Sequence, residues 1–214
     1  MLPDNFLASY QPLEGLRANF VCNNLGEFTD SHGSSRGISN SLDFELLVHL
    51  RKICDVAITG HRTAAIEGYK SSSRCAIAII ARSSAINDVP ALTDTGSGRV
   101  ILLTSAASEH PIDQLASNVE KIDLGQGSLR ETVIHGLRRL SGLGLDRQLL
   151  EAGPAILGAA SELIDELCLT VTDVDSEFDA EAAGRLRRQL PFLSQNMQLH
   201  ALEIIGDTAF TRWR

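Results

Sequence analysis

Two short and almost uninterrupted runs of apolar residues constrain the fold of this chain more than any other feature. Residues 75–81 (CAIAIIA) and 100–104 (VILLT) hold no charged side chain, and each has the length of one β-strand. Strands buried on both faces have this composition, and they occur mainly in parallel sheets covered by helices on both sides. The two runs therefore predict an α/β fold around a largely parallel sheet.

Segments with helical spacing alternate with further strand-like runs, as α/β architecture requires. Ser41 can cap a helix that runs to Lys52, and the leucines within it keep a helical period. Ser128 and Glu131 form a capping box that opens a helix to Leu140. Further strands are predicted over 17–22, 55–60, 119–124, 147–151 and 165–174, and further helices over about 154–163 and 179–189.

The last part of the chain has a different pattern from the rest. Residues 197–205 and 208–213 resemble a closing antiparallel pair around the turn Gly206-Asp207. No linker, repeat or low-complexity tract interrupts the sequence. We therefore expect a single domain over residues 1–214, with a mostly parallel sheet that ends in an antiparallel pair.

Charge and cysteine usage narrow the possible functions. The chain has 19 basic and 27 acidic residues, a net charge of −8, whereas proteins that coat nucleic acid are normally basic. Its four cysteines lie apart without a C-x-x-C pair, which predicts free thiols in a reducing compartment. The histidines show no metal-site spacing, and neither a signal peptide nor an 18-residue apolar stretch is present. We expect a soluble cytoplasmic protein that binds neither nucleic acid, membrane nor metal.

One segment matches a hydrolase motif without its structural context. Residues 33–37 (GSSRG) fit the pattern G-x-S-x-G, in which a nucleophilic serine sits on a sharp turn between a strand and a helix. Here polar turn residues precede Ser35, and more loop follows it. A hydrolase that uses Ser35 is therefore only a remote alternative.

Two predicted strand ends are better candidates for a binding site. The run Gly60-His-Arg-Thr63 leaves one strand, and Glu151-Ala-Gly153-Pro154 leads from another strand straight into a helix. Ligands of open α/β sheets bind outside the carboxyl ends of strands, where the amides of a helix start suit a phosphate. A nucleotide site is one interpretation, and ordinary turn and cap chemistry is the other.

Five short motifs occur in one order along the chain: Arg17-Ala-Asn19-Phe-Val, Leu50-Arg51-x-x-x-Asp55, Gly60-x-x-Thr63-x-x-x-Glu67-Gly-Tyr69, Glu151-x-Gly153-Pro154 and Leu163-Ile-Asp165-Glu166-Leu-x-Leu-Thr-Val. Together they resemble the reductase domain of bacterial riboflavin biosynthesis, the C-terminal half of a bifunctional deaminase–reductase. The resemblance covers roughly residues 10–175, and no deaminase half with zinc-binding cysteines is present. It implies a stand-alone reductase.

The resemblance carries expectations about fold and activity. The family has a dihydrofolate reductase-like fold, a three-layer αβα arrangement with a mixed sheet, and commonly forms homodimers. Its members take hydride from NADPH and convert the ribosylamino group of a pyrimidinone 5′-phosphate to an open ribityl chain. For this chain, the resemblance implies NADPH as cofactor and a small phosphorylated substrate.

Site residues also follow from the resemblance, position by position, although it assigns no catalytic residue. The positions that match cofactor contacts are Thr63, Glu67, Gly153, Pro154, Ala155, Ile156, Leu157, Gly158 and Ala159. The positions that match substrate contacts are Asn19, Ser35, Arg51, Arg74 and Glu151. A guanidinium can bind a phosphate through two hydrogen bonds, which suits the two arginines. Surface salt bridges, and for Glu151 an interaction with a helix dipole, are the alternatives.

Two departures from the family pattern put this activity in question. The family usually carries an aspartate where this chain has Leu25, unless Glu27 or Asp30 compensates, and Ala152 replaces a family glycine. A further expectation, independent of the motifs, places a cofactor 2′-phosphate at Arg82 and Ser83. The alternatives to riboflavin-pathway reduction are a related pterin or pyrimidine reductase, including dihydrofolate reductase-like activity, and an inactive dimeric paralogue that still binds nucleotide.

Overall fold

The computed structural model of the protein describes residues 1–82, 89–105 and 115–214. Nine strands within these ranges pair into one sheet in the order β5-β4-β3-β2-β6-β1-β7-β9-β8. The strands are β1 Gly15–Asn23, β2 Val56–Gly60, β3 Ala76–Ala81, β4 Val100–Thr104, β5 Val119–Asp123, β6 Arg147–Leu150, β7 Glu166–Thr172, β8 Leu199–Ile205 and β9 Thr208–Trp213.

Strands β1 to β7 pair in parallel, whereas β8 and β9 form the antiparallel pair predicted for the end of the chain. The helices are α1 Asp4–Ala8, α2 Ser41–Ile53, α3 His61–Ile66, α4 Pro90–Thr93, α5 Leu129–Ser141, α6 Pro154–Ala160 and α7 Ala180–Arg188. These elements confirm the predicted α/β class and the mostly parallel, mixed sheet.

Side chains of the parallel strands alternate between two helical layers. On one side of the sheet, residues such as Ala18, Ile58 and Leu150 pack with α5, α6 and α7. On the other side, Ala57 and Leu149 face α1 to α4 through two smaller apolar clusters. The fold therefore has three layers, αβα, and every strand from β2 to β4 is buried along its whole length.

Strand β6 enters the middle of the sheet, between β1 and β2. Residue pairs such as Ala18↔Leu150 and Ile58↔Leu150 fix its register with both neighbours. The carboxyl ends of β1, β2, β6 and β7 therefore lie side by side at one edge of the sheet, where the loops that follow them can share a site.

Several boundaries differ from those predicted by sequence. The N-cap of α2 is Asn40, whose Oδ1 accepts from the amides of Leu42 and Asp43, so the prediction of Ser41 as the cap was wrong. Helix α6 ends at Ala160 instead of Leu163. The capping box of Ser128 and Glu131 is confirmed. Ser35 opens a 3-10 turn in a loop, which is not the strand-to-helix turn that a nucleophilic serine needs.

A buried carboxylate at the start of β7 is held by two arginines. Glu166 is fully buried, and its oxygens accept from Arg17 Nε at 2.7 Å and Arg214 Nε at 2.8 Å. Burial acts to raise the pKa of Glu166, but the two arginines outweigh it and lower the pKa overall. The charged form of Glu166 is therefore the form that the folded protein favours.

Replacement of Glu166 by glutamine should lower stability at neutral pH, because Arg17 would keep a buried charge without its partner. A carboxyl with a lowered folded pKa stabilises above its unfolded pKa, about 4.3, and loses this effect as pH falls through the folded pKa. The stability difference between Glu166→Gln and wild type should therefore shrink as pH falls below about 4.3, measured by urea unfolding. The exposed pair variant Glu120→Gln serves as the control, and a pH-independent difference would contradict the prediction.

Within the described residues, none of the helices is both long and apolar enough to cross a membrane.

Candidate active site

The crevice at the carboxyl ends of β2 and β6 has the geometry of a ligand site. Helix α3 follows β2 on one face of the sheet, and α6 follows β6 on the other face. Loops that diverge in this way open a crevice at the strand ends, which is where open α/β sheets bind ligands. The two segments that the sequence analysis selected at Gly60 and Glu151 flank this crevice.

The first turns of α3 and α6 contact each other across the crevice. A Cβ placed on Gly153 would lie 3.5 Å from Thr63 Oγ1, and one on Gly60 would lie 2.7 Å from Ile156 Cδ1. The structure therefore brings together Thr63 and the segment 153–159, two parts of the predicted cofactor site that are far apart in sequence. Within that segment, Leu157 is fully buried in the core, so its side chain packs and does not face the crevice.

Other members of the segment differ in what they can offer a ligand. Gly153 is the N-cap of α6, Pro154 occupies its first turn, and the exposed Ala155 follows. Gly158 faces Phe192, because a Cβ on it would lie 3.5 Å from that side chain, while Ala159 is half-buried. The part of the segment open to a ligand is therefore its start, at residues 153–155.

Glu67 binds the loop that follows β1. Its Oε1 accepts from the Ser35 amide at 2.8 Å and from the hydroxyls of Ser34 and Ser35 at 3.1 Å, while Arg36 Nε lies 3.2 Å from its Oε2. Glu67 and Ser35, assigned to cofactor and substrate respectively, thus contact each other. Their interaction fixes the loop after β1 against the end of α3, and so shapes the crevice.

Arg51 and Glu151, both assigned to the substrate, form an ion pair. Arg51 Nε donates to Glu151 Oε1 at 2.8 Å, and Arg51 Nη2 donates to Glu151 Oε2. The Tyr69 hydroxyl donates to the same Oε2 at 2.6 Å, and the guanidinium lies 4.9 Å from the Tyr69 ring centre. Burial raises the pKa of Tyr69, so its hydroxyl keeps the proton it donates. Of the Arg51 nitrogens, Nη1 stays outside this pair.

Arg74, the other arginine assigned to the substrate, lines a groove of about 390 Å³ on the outer side of α2, together with Leu7, Phe44, Val48 and Lys52. Its assignment to the substrate stays a prediction.

A buried aspartate that the sequence analysis did not select lies in the first turn of α2. Asp43 is 4% exposed, and its Oδ2 accepts from Ser39 Oγ at 2.6 Å. Burial raises the pKa of Asp43, and this effect outweighs the lowering by Ser39 and Thr170. The charge of Glu151 raises it further, which places both carboxyls in one electrostatic environment. The folded protein therefore favours the protonated form of Asp43.

Several buried polar atoms without partners lie on the face of the sheet that α2 covers, the face on which Asp43 also lies. The described residues contain six such side-chain atoms, and four of them belong to Asn19, Asp43, Thr59 and Thr170. Strand alternation places Asn19, Thr59 and Thr170 on the face of the sheet that α2 covers. Thr170 is close enough to Asp43 to lower its pKa, but the two are not aligned as a hydrogen bond. Because buried polar atoms are rarely left unpaired, this cluster marks a place for a polar ligand or for water.

The departures from the family pattern are also visible. Leu25 is 73% exposed in the turn after β1. Glu27 accepts from Asn23 Nδ2, and Asp30 accepts from the amides of His32 and Ser34. Both carboxylates are therefore engaged locally in the loop. Arg82 Nη2 donates to Gly127 O at 3.3 Å, whereas Ser83 lies outside the described residues.

The crevice contains groups of the kind that hold a nucleotide phosphate. Thr63 and Gly153 are half-exposed, and a glycine lets a phosphate approach the backbone. Arg62, in the first turn of α3, is exposed and forms no ion pair with any described residue. Thr59 Oγ1, at the end of β2, is one of the unpartnered buried atoms. A hydroxyl, a glycine backbone and an arginine are the kinds of group that bind the phosphates of a dinucleotide. No group of three metal-binding side chains occurs in the part of the chain that the structure describes.

Solved structures with the same architecture come from pyrimidine reductases and related proteins. A pyrimidine reductase-like protein from Corynebacterium diphtheriae matches with a TM-score of 0.71 and 19% identity, over 94% of this chain and 91% of that chain. The deaminase/reductase of Thermotoga maritima that acts on phosphoribosylaminopyrimidines matches with a TM-score of 0.68 and 18% identity, over 98% of this chain and 58% of that chain. The Saccharomyces riboflavin biosynthesis reductase Rib7 matches with a TM-score of 0.59 and 11% identity, over 98% of this chain and 97% of that chain.

These similarities confirm the predicted dihydrofolate reductase-like, three-layer fold of the riboflavin reductases. The chain spans about three fifths of the bifunctional Thermotoga enzyme and nearly all of the other two. No protein-family model matches the chain, and no curated protein sequence matches it significantly. At identities below one fifth, these similarities show the fold alone.

Proposed function

We propose that the protein is a nicotinamide nucleotide-dependent reductase of a pyrimidine- or pterin-type ring compound. The observation that carries this proposal is the buried Asp43, with its raised pKa, among unpartnered polar atoms beside the crevice. Apolar, enclosed surroundings with a few convergent polar groups are typical of small-molecule sites, and shifted pKa values often mark functional residues. Solved structures with this fold are named as pyrimidine reductases, which supports the same reaction class.

The proposed cofactor is NADPH, which supplies hydride when bound. Thr63, Gly153 and Arg62 are the residues proposed to hold it, because they flank the crevice and are accessible. Glu67 contributes indirectly by fixing the loop at Ser35 against α3. The protein's task in this proposal is to orient the reactants and to exclude water from them.

Asp43 is proposed to supply the proton of the reaction. When a C=N bond is reduced, carbon receives a hydride and nitrogen receives a proton. Burial raises the pKa of Asp43, which favours the protonated form that can give this proton. Its Oδ2 is bound to Ser39, whereas its Oδ1 has no aligned partner among the described residues and is available to a ring nitrogen. Asn19 and Thr170 are proposed to complete the polar contacts of the ring.

A 5′-phosphate on the substrate is part of the proposal, with Arg51 as its contact. Arg51 uses Nε and Nη2 to bind Glu151, so Nη1 is the nitrogen available to a phosphate. About a quarter of the Arg51 side chain, 23%, remains exposed. Glu151 and Tyr69 then hold the guanidinium in place.

Formation of a homodimer also belongs to the proposal, and sedimentation velocity tests it.

Binding of the cofactor is the first experiment. Saturating NADPH, at about 100 times its dissociation constant, should add about 2.7 kcal/mol of stability. For a chain of this length the melting temperature should rise by roughly 5–10 °C. The variant Gly153→Val, which adds a side chain facing Thr63, should lose most of this shift, whereas Arg139→Ala on the exposed side of α5 should keep it. Absence of any shift in wild type with NADPH or NADH would contradict the proposal.

A second candidate is an inactive paralogue that still binds nucleotide. The exposed Leu25, at the position of a family aspartate, is the observation in its favour. A shift with NADPH but no oxidation of NADPH in the presence of the pyrimidinone riboflavin precursor or of dihydrofolate would support this candidate. Oxidation with either compound would exclude it.

A further inference from the structure

Two of the four cysteines are neighbours in the fold, although 21 positions separate them in the sequence. Cys54 is the C-cap of α2, and Cys75 immediately precedes β3. The parallel pair β2–β3 aligns Val56 with Ala76, and the Ala76 amide donates to Asp55 O at 2.9 Å. This register places Cys75 beside the start of β2, where Cys54 packs against the apolar cluster that contains Cys75. The two thiols are close enough for each to shift the pKa of the other.

The pair differs from the other two cysteines in its surroundings. Cys22 and Cys168 are 0% and 1% exposed, and burial raises the pKa of each to about 12. Cys54 is half-buried, so small solutes can reach the pair, and Cys75 is 8% exposed. The neighbouring Cys54 thiol lowers the pKa of the Cys75 thiol, which favours its thiolate, and Arg51 acts in the same direction while burial and Glu151 oppose it. A partly accessible thiolate next to a second thiol is the arrangement that reacts with oxidants.

We propose that Cys54 and Cys75 form a dithiol that a small peroxide converts to an intramolecular disulfide. In the first step the Cys75 thiolate attacks one oxygen of hydrogen peroxide, the O–O bond breaks, and Cys75 sulfenic acid and hydroxide form. In the second step Cys54 Sγ attacks Cys75 Sγ, gives up its proton, and displaces hydroxide, which leaves as water. Two thiols lose two electrons in total, and one peroxide is reduced to two waters.

The loss of negative charge at Cys75 in the first step favours the second step. The neighbouring Cys75 thiol is the main reason that the pKa of Cys54 is raised, followed by burial. Once Cys75 is a neutral sulfenic acid, the negative charge that opposed ionisation of Cys54 is gone. Cys54 Sγ also contacts Arg51 O at 3.9 Å, the last turn of α2. Attack therefore needs only a local movement of the end of α2.

The disulfide would close the segment between the two cysteines into a loop. That segment, residues 55–74, contains β2 and α3 and carries Thr63, Glu67 and Tyr69. Oxidation would therefore join the two ends of the part of the chain that forms one wall of the crevice. The dithiol itself does not depend on the proposed reductase function, because it rests on the register of β2 with β3 and on the packing of the two cysteines in one apolar cluster.

Peptide mapping of the whole protein after mild peroxide treatment tests the proposal. We expect the intact mass to fall by two hydrogen atoms, a cross-linked peptide pair that joins Cys54 to Cys75, and alkylation of Cys22 and Cys168 only after denaturation. The variant Cys54→Ser should form no disulfide and should accumulate a Cys75 sulfenic acid that dimedone traps. The matched control Cys168→Ser, in a different part of the sheet, should keep the disulfide yield of wild type.

Either of two results would overturn the proposal. In one, Cys54 and Cys75 of peroxide-treated wild type are alkylated as fully as Cys22 and Cys168 when the protein is denatured without a reductant. In the other, oxidised Cys54 or Cys75 is found linked to a cysteine of a second chain and not to its neighbour. A circular dichroism spectrum of Cys54→Ser that matches wild type shows that its result reflects the sulfur and not misfolding.

Discussion

Replacing Asp43 with asparagine is expected to lower turnover by about 10²- to 10⁴-fold, the usual contribution of a positioned acid or base. The same change should leave the NADPH-dependent rise in melting temperature unaltered, because Thr63, Gly153 and Arg62 are untouched. An amide fits the space of the carboxyl but has no acidic proton to give. Steady-state oxidation of NADPH with the pyrimidinone precursor or dihydrofolate, followed across pH, measures the effect.

Stability should change in the opposite direction. A carboxyl whose folded pKa is raised favours folding fully below its unfolded pKa, about 3.9, and loses that contribution as pH rises through the folded pKa. Wild type at neutral pH therefore bears the cost of burying an acid that ionises more readily in the unfolded chain, and Asp43→Asn removes that cost. We expect a higher melting temperature for Asp43→Asn at neutral pH, and no such gain for Asp4→Asn in α1. Wild-type turnover by Asp43→Asn would refute its role as proton source.

The second large effect is expected at the ion pair of Arg51 and Glu151. Removing one partner of a buried pair leaves an uncompensated charge, and Glu151→Ala should lower the free energy of unfolding by about 3 kcal/mol. Glu151 is 5% exposed and also accepts from Tyr69, so its loss leaves two donors without an acceptor. Urea unfolding at neutral pH measures this difference.

A double variant separates the charge effect from loss of packing. Arg51→Met combined with Glu151→Ala removes both charges, and it should recover a large part of the lost stability. The exposed pair of Arg130 and Glu162, which joins α5 to α6, provides the comparison. Loss of Glu162 there should cost less than about 1 kcal/mol. An equally small loss of unfolding free energy for Glu151→Ala would contradict the prediction, because it would show that solvent screens this pair as it screens an exposed one.

Strands could be predicted because their sequences leave few alternatives. The runs at 75–81 and 100–104 are apolar on both faces, and only a central sheet position buries both faces at once. Helices α3 and α4 were not predicted, since six and four residues are too few to show a helical period. Asn40 and Ser41 are both good caps, so the sequence could not decide between them.

The candidate site was partly accessible to sequence reasoning. Thr63 and Gly153 were selected because each follows a predicted strand, and the parallel sheet brings such positions together. Asp43 was not selected, yet it precedes Leu46 and Leu50 by three and seven positions and so shares their buried face. That spacing was the available signal. The mutual binding of Arg51 and Glu151 could not be foreseen, because it depends on how α2 lies across β6.

The insertion of β6 into the middle of the sheet has a consequence for how the chain folds. Among the strands that the structure describes, β1 pairs with β6 and β7. The residues that align with it there, such as Arg147 and Glu166, come well over a hundred positions later in the sequence. Until β6 has been synthesised, β1 and β2 have no shared neighbour, and their unpaired edges stay open to other chains. Non-local pairing of this kind slows folding. Closure of the sheet is thus a late event, and a chain that stops at the exposed turn around Gly144 would leave both edges of β1 unpaired.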